Sequence, residues 1–321
     1  MKVLVLLNPK SGTLAASETR DEPERIRRGF EAAGVPVEVR DLDGGNLAET
    51  VAAARREGFD TIVAGGGDGT LNEVLNGVVD ADFPPDHVLM GIIPLGTGND
   101  FARALGIPAD IDVALERLVR APERRVDGAR LDEKWFINTS AGGFIAEASD
   151  VTSEGLKTAA GKLAYLVGGA QALWSFAPVR ASVRFPAGAH RVSSSTGASS
   201  PGPDVAGLEL YAFAVCNAPT IGGGRLIAPY GDVADGLLDI CLIETMSAVE
   251  FVNVLRKVAE GEHLSDERVA YFRAPEVTFE FERAIKVNTD GEMEEVTECR
   301  YVVMPSALRF LGYDGANTPF L

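Results

Sequence analysis

The stretch IVAGGGDGTLNEVLNGV, residues 62–78, joins an apolar run to an amphipathic one. Its first three residues are typical of a buried strand, and apolar residues recur at helical spacing from Leu71 to Val78. The glycines between them let the backbone adopt positive φ and approach a ligand closely. The N–H groups and the dipole at the start of the following helix favour an anion. Asp68 would repel that anion, so the pattern indicates that a cation bridges the two.

Strands and helices alternate through residues 1–125, beginning with a continuous apolar run at residues 3–7. Such a run is typical of a parallel strand covered on both faces. The pattern predicts further strands at residues 35–40, 61–64 and 88–93, and helices at residues 47–56 and up to residue 79. We therefore predict a doubly wound, Rossmann-like α/β domain that binds its ligand at the carboxyl ends of the strands. Three glycine-bearing loops would meet there: residues 8–12, 65–70 and 94–103.

The second part of the chain, residues 126–300, is predicted to form an antiparallel β-sandwich domain that binds the second substrate. Residues 301–321 are expected to return to the first domain. Strand-like segments occur at residues 124–131, 135–143, 179–185, 208–217, 236–244, 276–283 and 284–292, and two helices interrupt them at residues 156–176 and 248–260.

The composition bounds the size and the class of the protein. A chain of 321 residues can form two domains, and a net charge of −17 argues against nonspecific binding to nucleic acid. Only seven of the basic residues are lysines. An acidic, lysine-poor surface would suit a high-salt cytoplasm, but a GC-rich genome gives the same bias, and both explanations stay open.

The three cysteines, Cys216, Cys241 and Cys299, are far apart and lie in apolar runs, which predicts reduced core residues rather than disulfides or metal ligands. The apolar N-terminal stretch meets Asn8-Pro9 after a few residues and is too short for a signal peptide. We therefore expect a cytoplasmic protein.

The loop PLGTGNDFAR, residues 94–103, repeats the pattern of the first stretch. Asp100 precedes an apolar helix, so it could serve only as a helix cap. Two glycine-rich turns that each carry an aspartate at a helix entry favour another interpretation, in which Asp68 and Asp100 face one crevice. Paired carboxylates opposite phosphates suit Mg²⁺, and Arg103 could contact a phosphoryl oxygen. The sequence therefore predicts a magnesium–nucleotide site.

Four motifs carry a resemblance to a known family. NPKSG (residues 8–12), GGGDGT (65–70), PLGTGNDFAR (94–103) and NTDGE (288–292) resemble, in this order, the motifs of the diacylglycerol kinase catalytic-domain family. That family includes bacterial soluble lipid kinases and the sphingosine kinases. A single GGDG would be weak, because NAD kinases and phosphofructokinases also carry one. The resemblance implies an ATP-dependent kinase with its active site in the cleft between an α/β domain and a β-sandwich domain.

The resemblance also implies which residues bind the nucleotide and its metal. A water-mediated Mg²⁺ network would include Asp68, Asp100 and Asp127. For Asp127, which precedes Gly128, a simple hairpin turn is the alternative. The phosphates and adenosine would be held by Asn8, Pro9, Lys10, Ser11, Gly12, Gly66, Gly67, Asp68, Gly69, Thr70, Leu71, Asn72 and Thr97, with Asp100 and Arg103 beside them.

The NTDGE segment matches the general base of the family. The acceptor is a neutral alcohol, whose proton must be taken up as the O–P bond forms. Glu292 is the candidate for this role, with Asp290 and Asp68 as the other catalytic residues. An Asp-Gly pair between two strands is usually a hairpin turn, so this assignment depends mainly on the resemblance.

A further loop, residues 228–240, resembles a structural metal loop of the family. There the carboxylate of Asp235 and the carbonyl oxygens of Asp232 and Leu237 would bind a cation, and oxygen ligands suit Mg²⁺ or Ca²⁺. Another Asp-Gly turn is the alternative.

The sequence departs from the family pattern in two places. Thr13 stands where bacterial members usually have lysine, and Arg20 and Lys10 are the candidates to replace that charge. Asp41 stands where a threonine is common, which leaves one ribose contact in doubt.

Together these features predict transfer of the γ-phosphoryl group of ATP to the hydroxyl of a diacylglycerol-like lipid. The enzyme would reach its lipid by transient contact with a membrane surface and could form a homodimer. One rival is a kinase for a soluble alcohol, such as an NAD kinase. The other is a sensor that binds ATP without turnover, although a sensor needs no base.

Overall fold

The computed structural model describes residues 1–12, 21–42, 44–81, 84–120, 122–147, 176–186, 189–192, 199–201 and 204–312. The helix predicted at residues 156–176 lies outside the described residues except for Phe176, and so do Thr13 and Arg20. Residues 313–321, the end of the segment expected to return to the first domain, also lie outside them.

Parallel strands form the first half of the molecule, in the order β2-β1-β3-β4. The predicted strand positions are confirmed to within two residues. The strands are β1 (Val3–Leu7), β2 (Val37–Asp41), β3 (Thr61–Gly66) and β4 (Leu89–Pro94), and the helices are α1 (Glu22–Ala32), α2 (Leu47–Arg56), α3 (Asp68–Asp80), α4 (Asp100–Ala104) and α5 (Ile111–Arg120).

Helices cover both faces of this parallel sheet. Leu4 and Leu6 of β1 pack with residues of α2 and α3, whereas Val3 and Val5 pack with residues of α1 and α5. Successive side chains of a strand point to opposite faces, so a strand buried on both sides must be apolar at every position. The continuous apolar run in β1 follows from this arrangement.

Antiparallel pairing dominates the second half, as predicted. Two predictions differ in detail, because residues 135–143 form two strands and residues 276–289 form one. The elements are β5 (Arg124–Leu131), β6 (Lys134–Phe136), β7 (Thr139–Gly143), β8 (Val179–Arg184), β9 (His190–Val192), β10 (Ser199–Pro201), β11 (Val205–Cys216), β12 (Leu238–Glu244), α6 (Ala248–Glu260), β13 (Val269–Ala274), β14 (Glu276–Thr289) and β15 (Glu292–Phe310).

Strand β15 joins the two halves. It pairs antiparallel with β14 and β5 along most of its length, and its last residues, Arg309 and Phe310, pair in parallel with β4. The described strands therefore belong to one continuous sheet. The predicted domain boundary near residue 125 stays a proposal. Strand β5 begins at Arg124 and pairs with β15, so the sheet continues across this position.

Two further expectations concern the core and the membrane. Cys216, Cys241 and Cys299 are buried and free, as predicted. No helix within the described residues is both long enough and apolar enough to cross a membrane.

Candidate active site

The glycine-rich stretch ends β3 and begins α3, as the sequence predicts. Gly67 directly precedes α3 in an extended conformation and has no side chain to cap the first N–H groups of this 13-residue helix. A Cβ on Gly66 would lie 2.3 Å from the hydroxyl oxygen of Thr70, so the turn requires glycine. That hydroxyl accepts a hydrogen bond of 2.9 Å from the side-chain amide of Asn8. The start of α3 can therefore offer N–H groups to an anion.

The three glycine-bearing loops meet at the carboxyl ends of the strands, and their predicted convergence is confirmed. A Cβ on Gly96 would lie 2.4 Å from Cα of Gly67, and a Cβ on Gly12 would lie 2.7 Å from the hydroxyl oxygen of Thr97. At Gly96 the contact is with backbone, and only glycine permits so close an approach there. The loops thus pack against one another through their glycines.

Asp68 links the first stretch to the loop that precedes α4. Its two carboxylate oxygens accept hydrogen bonds from the N–H groups of Asp100, at 3.0 Å, and Phe101, at 2.9 Å. Asp68 therefore caps α4 from another part of the chain. Burial raises the pKa of Asp68 above its usual value, and the charge of Asp100 adds to this effect while the two N–H donors oppose it.

Asp100 links the same loop to the second half of the molecule. The residue is 2% exposed, and its carboxylate accepts hydrogen bonds from the N–H groups of Gly223, at 2.8 Å, and Gly224, at 2.7 Å. Both glycines have positive φ, which turns successive N–H groups toward one acceptor. No local signal in the sequence of this glycine cluster points to Asp100 as its partner, because the two segments are more than 120 residues apart.

Asp290 and Gly291 form the turn between β14 and β15, with φ of +49° and +98°, so a hairpin turn is present here. Asp290 also has a tertiary role. Its half-buried carboxylate accepts hydrogen bonds from the N–H groups of Ile137, Asn138 and Thr139 at 2.7, 3.1 and 2.9 Å. Burial raises the pKa of Asp290 to about 6, although the three donors oppose that shift. The tip of the hairpin is therefore fastened to the corner between β6 and β7.

Glu292 follows this turn and lies close to α3. A Cβ on Gly69 would lie 4.0 Å from the carbonyl oxygen of Asp290, so the hairpin tip is near the start of the helix. The exposed carboxylate of Glu292 accepts a hydrogen bond of 2.5 Å from Nζ of Lys134. The structure thus brings NTDGE to the glycine-rich stretch, across more than 200 residues of sequence.

Comparisons with known proteins agree with this arrangement. A model described as the diacylglycerol kinase catalytic domain matches residues 2–131, and one described as the YegS C-terminal NAD kinase beta sandwich-like domain matches residues 139–312. The chain is 33% identical to a protein named "Probable lipid kinase YegS-like" from Chromohalobacter salexigens, over 97% of this chain and 93% of that one. The chain belongs to the diacylglycerol kinase catalytic-domain family.

A second relative supports this membership, and a solved structure supports the fold. A protein named diacylglycerol kinase from Bacillus subtilis is 32% identical, over 90% of this chain and 88% of its own length. A crystal structure of a diacylglycerol kinase from Bacillus anthracis strain Sterne has a TM-score of 0.69 and 19% identity, covering 99% of this chain and 98% of that one. These comparisons confirm the predicted resemblance and the enzyme class, that of a lipid kinase family. They also confirm a mixed α/β fold with a C-terminal β-sandwich-like domain.

Asp127, which the family resemblance places in the metal network, makes other contacts. It lies within β5, so the hairpin-turn alternative is wrong. Its buried carboxylate accepts hydrogen bonds of 2.7 Å from the N–H groups of Ser306 and Gly236. Burial raises the pKa of Asp127, and the neighbouring charge that adds to the shift is that of Asp232. These contacts do not include Asp68 or Asp100. The Ser306 amide that donates to Asp127 lies in an irregular stretch of β15, where the φ of Ser306 is +52°.

The candidate metal loop around Asp235 already holds a cationic side chain. One oxygen of Asp235 accepts a hydrogen bond from the Leu237 N–H at 3.0 Å, and the other pairs with the guanidinium of Arg273. Burial raises the pKa of Asp235 to about 6, while Arg273 opposes the shift. The loop turns at Gly236, where φ is +74°. A metal ion at Asp235 would have to share the carboxylate with Arg273, so these residues do not fit the predicted ion as they are arranged.

The remaining predicted residues lie around the first two loops. Arg103 is exposed, and its guanidinium nitrogen lies 3.4 Å from the carbonyl oxygen of Gly98. Lys10 is also exposed, and its backbone N–H donates a hydrogen bond to the side-chain oxygen of Asn8. Pro9, Gly12, Gly69 and Thr97 are exposed, whereas Ser11, Gly66, Thr70, Leu71 and Asn72 are buried. Across the residues that the structure covers, no three His, Cys, Asp or Glu side chains are grouped to hold a metal ion directly.

Proposed function

We propose that the protein transfers the γ-phosphoryl group of ATP to the hydroxyl of a diacylglycerol-like lipid. One observation carries this proposal. The uncapped start of α3, the loops around Gly12 and Gly96, and the hairpin tip that bears Glu292 all meet at one end of the parallel sheet. Phosphoryl transfer needs this combination of phosphate-binding amides and a base for the acceptor proton.

The α/β half would act as a Rossmann-like nucleotide domain. The N–H groups at the start of α3 would bind phosphate oxygens, with the loop at residues 8–12 and Thr97 beside them. Gly69 supports this placement, because among the described residues a Cβ there would meet only the Asp290 carbonyl oxygen, at 4.0 Å.

The geometry of two carboxylates fits a magnesium ion. One oxygen of Asp68 and one of Asp100 lie 3.3 and 3.4 Å from a single point, the position of a Cβ on Gly98. Two carboxylates this close repel each other, and a divalent cation would relieve the repulsion directly or through water. Asp68 and Asp100 would hold Mg²⁺, whose chemistry is to neutralise phosphate charge; Asp127 is a weaker candidate because of its contacts with Ser306 and Gly236.

Glu292 would take the proton from the acceptor hydroxyl as that oxygen attacks phosphorus. Asp290 would act in this reaction by positioning the hairpin tip, since its carboxylate already accepts three backbone hydrogen bonds. Transient contact with a cytoplasmic membrane surface would supply the lipid. A homodimer remains a prediction.

The test is to incubate the protein with γ-labelled ATP and MgCl₂ and identify labelled products by mass spectrometry. Separate reactions would contain a total lipid extract, dispersed diacylglycerol or NAD. We expect a phosphorylated lipid and no phosphorylated NAD. Labelled NADP would favour the soluble-alcohol kinase, and ATP binding with no phosphorylated product would favour the sensor.

A further inference from the structure

Glu292 forms an ion pair with Lys134, a residue that lies outside the four family motifs. Nζ of Lys134 lies 2.5 Å from Oε2 of Glu292, and the two side chains are 31% and 51% exposed. Exposed ion pairs contribute little when both side chains are free to move. The importance of this pair therefore depends on what holds its two partners in place.

The lysine is fixed through its neighbour, Trp135. The Asn76 side chain on α3 donates a hydrogen bond to the Trp135 carbonyl oxygen, at 3.0 Å, and accepts one from its N–H, at 3.3 Å. Trp135 is 8% exposed, so burial adds to the restraint. The backbone next to Lys134 is thus held against the helix that begins with Asp68.

The glutamate is fixed through Asp290, two residues earlier in the chain. The Asp290 carboxylate accepts its three hydrogen bonds from the backbone of residues 137–139, which follows β6 directly. Lys134 and Glu292 therefore extend from two segments that are fastened to the same corner. Because both backbone segments are already held in place, pairing costs little more than the rotamer entropy of the two side chains.

A second carboxylate lies within electrostatic reach of Glu292. Glu73 lies on α3, and burial together with the negative charge of Glu292 raises the pKa of Glu73. Without Lys134, the charges of Glu73 and Glu292 would repel each other beside the start of the helix. The ammonium group opposes this repulsion and gives Glu292 one preferred orientation.

We propose that Lys134 is a positioning residue that holds Glu292 in the orientation needed to accept the proton of the lipid hydroxyl. The inference rests on the proposed function. Lys134 would bind Oε2 and leave Oε1 for the proton. As that proton moves to Oε1, the acceptor oxygen bonds to the γ-phosphorus, the bond to the bridging oxygen breaks, and ADP leaves with the electron pair.

The test is a kinetic cycle on the full-length protein with Lys134→Met, Lys134→Arg, Glu292→Gln and the double variant Lys134→Met/Glu292→Gln. Lys257→Met is the matched control, because Lys257 on α6 forms a half-exposed ion pair with Asp266, which lies beyond the end of that helix. We expect Lys134→Met to lower kcat by ~10- to 100-fold, the effect of misplacing a reacting group. The KM for ATP should stay within about twofold, because nucleotide binding is untouched.

The rescue and the double variant distinguish positioning from other roles. Lys134→Arg should recover most of kcat, and Lys134→Met should change kcat less than about twofold when Glu292 is already glutamine. A Lys134→Met enzyme as active as the Lys257→Met control would overturn the inference. So would equal losses in both backgrounds, since Lys134 would then act without Glu292. Absence of lipid phosphorylation by the wild-type protein would reject the proposed function itself, and the inference with it.

Discussion

At the scale of single residues, the acidic side chains near the candidate site differ in how much of their hydrogen-bonding capacity is already used. Asp68, Asp100 and Asp290 each accept two or three backbone hydrogen bonds. Glu292 is exposed and forms an ion pair with Lys134. A general base needs a carboxylate that can reach the substrate, which favours Glu292 over Asp290.

Replacing Glu292 with glutamine should abolish proton uptake and leave nucleotide binding intact. We expect kcat for lipid phosphorylation to fall by ~10²–10⁴-fold, the usual contribution of a general base. Calorimetric titration should give an unchanged Kd for the nucleotide. Glu298→Gln, an exposed site on the same strand, is the control and should be fully active. Full activity of Glu292→Gln would refute the assignment of the base.

His263 predicts a specific pH dependence of stability. Its side chain is fully buried, and its Nε2 lies 3.1 Å from the Ile227 carbonyl oxygen. Burial lowers the pKa of His263 to about 4, whereas an unfolded histidine titrates near 6.5. The unfolded chain therefore binds a proton first as pH falls, and the folded state loses stability between about pH 6.5 and pH 4.

Urea denaturation across this pH range measures the effect. His263→Gln should show a smaller fall in the free energy of unfolding on acidification than the wild type. His190→Gln, at an exposed position, should behave like the wild type. Parallel curves for His263→Gln and the wild type would contradict the expectation.

At the scale of elements, the hairpin between β14 and β15 is held by its tip. Asp290→Ala would leave three N–H groups without their acceptor and place alanine at a φ of +49°. We expect a loss of ~3 kcal/mol or more in the free energy of unfolding. Asp132→Ala is the matched control, since Asp132 has a φ of +52° but accepts a single backbone hydrogen bond, from Arg300, in an exposed turn. Equal losses in the two variants would show that the turn conformation alone matters.

The pairing of β12 with β13 places Arg273 opposite Asp239, where the guanidinium also reaches Asp235. Asp239 is 1% exposed, so Arg273→Met would leave a buried carboxylate without its cation. We expect this variant to lose about 3–5 kcal/mol in the free energy of unfolding. Arg300→Met breaks an exposed pair with Glu276 and should lose less than about 1 kcal/mol. Comparable losses would contradict the proposed importance of burial.

At the scale of the whole molecule, the net charge of −17 acts against folding through repulsion among acidic side chains. Molar KCl screens charges over a few ångströms, so we expect the Tm at pH 7 to rise with KCl. Repeating the titration near pH 4.7, the isoelectric point, is the control and should reduce the effect. An unchanged Tm at pH 7 would remove the high-salt explanation of the composition.

Much of the fold could be predicted because its signals are local. The apolar run of β1, the period of α2 and the glycines before α3 depend on a few neighbouring residues each. The long β15 was predicted only as a returning C-terminal segment, because its pairing with β14, β5 and β4 depends on contacts far apart in the chain.

The sequence by itself determined the order of the elements, the position of the glycine loops and which acidic residues lie in or beside them. Periodicity and backbone freedom are properties of short segments, so they can be recognised without the fold. Only the tertiary structure decided which amides those carboxylates accept from and that Lys134 contacts Glu292, 158 residues away. The physical reason is that a hydrogen bond or ion pair forms between whatever groups the packing brings within about 3 Å. The number of residues between two groups in the sequence does not predict that distance.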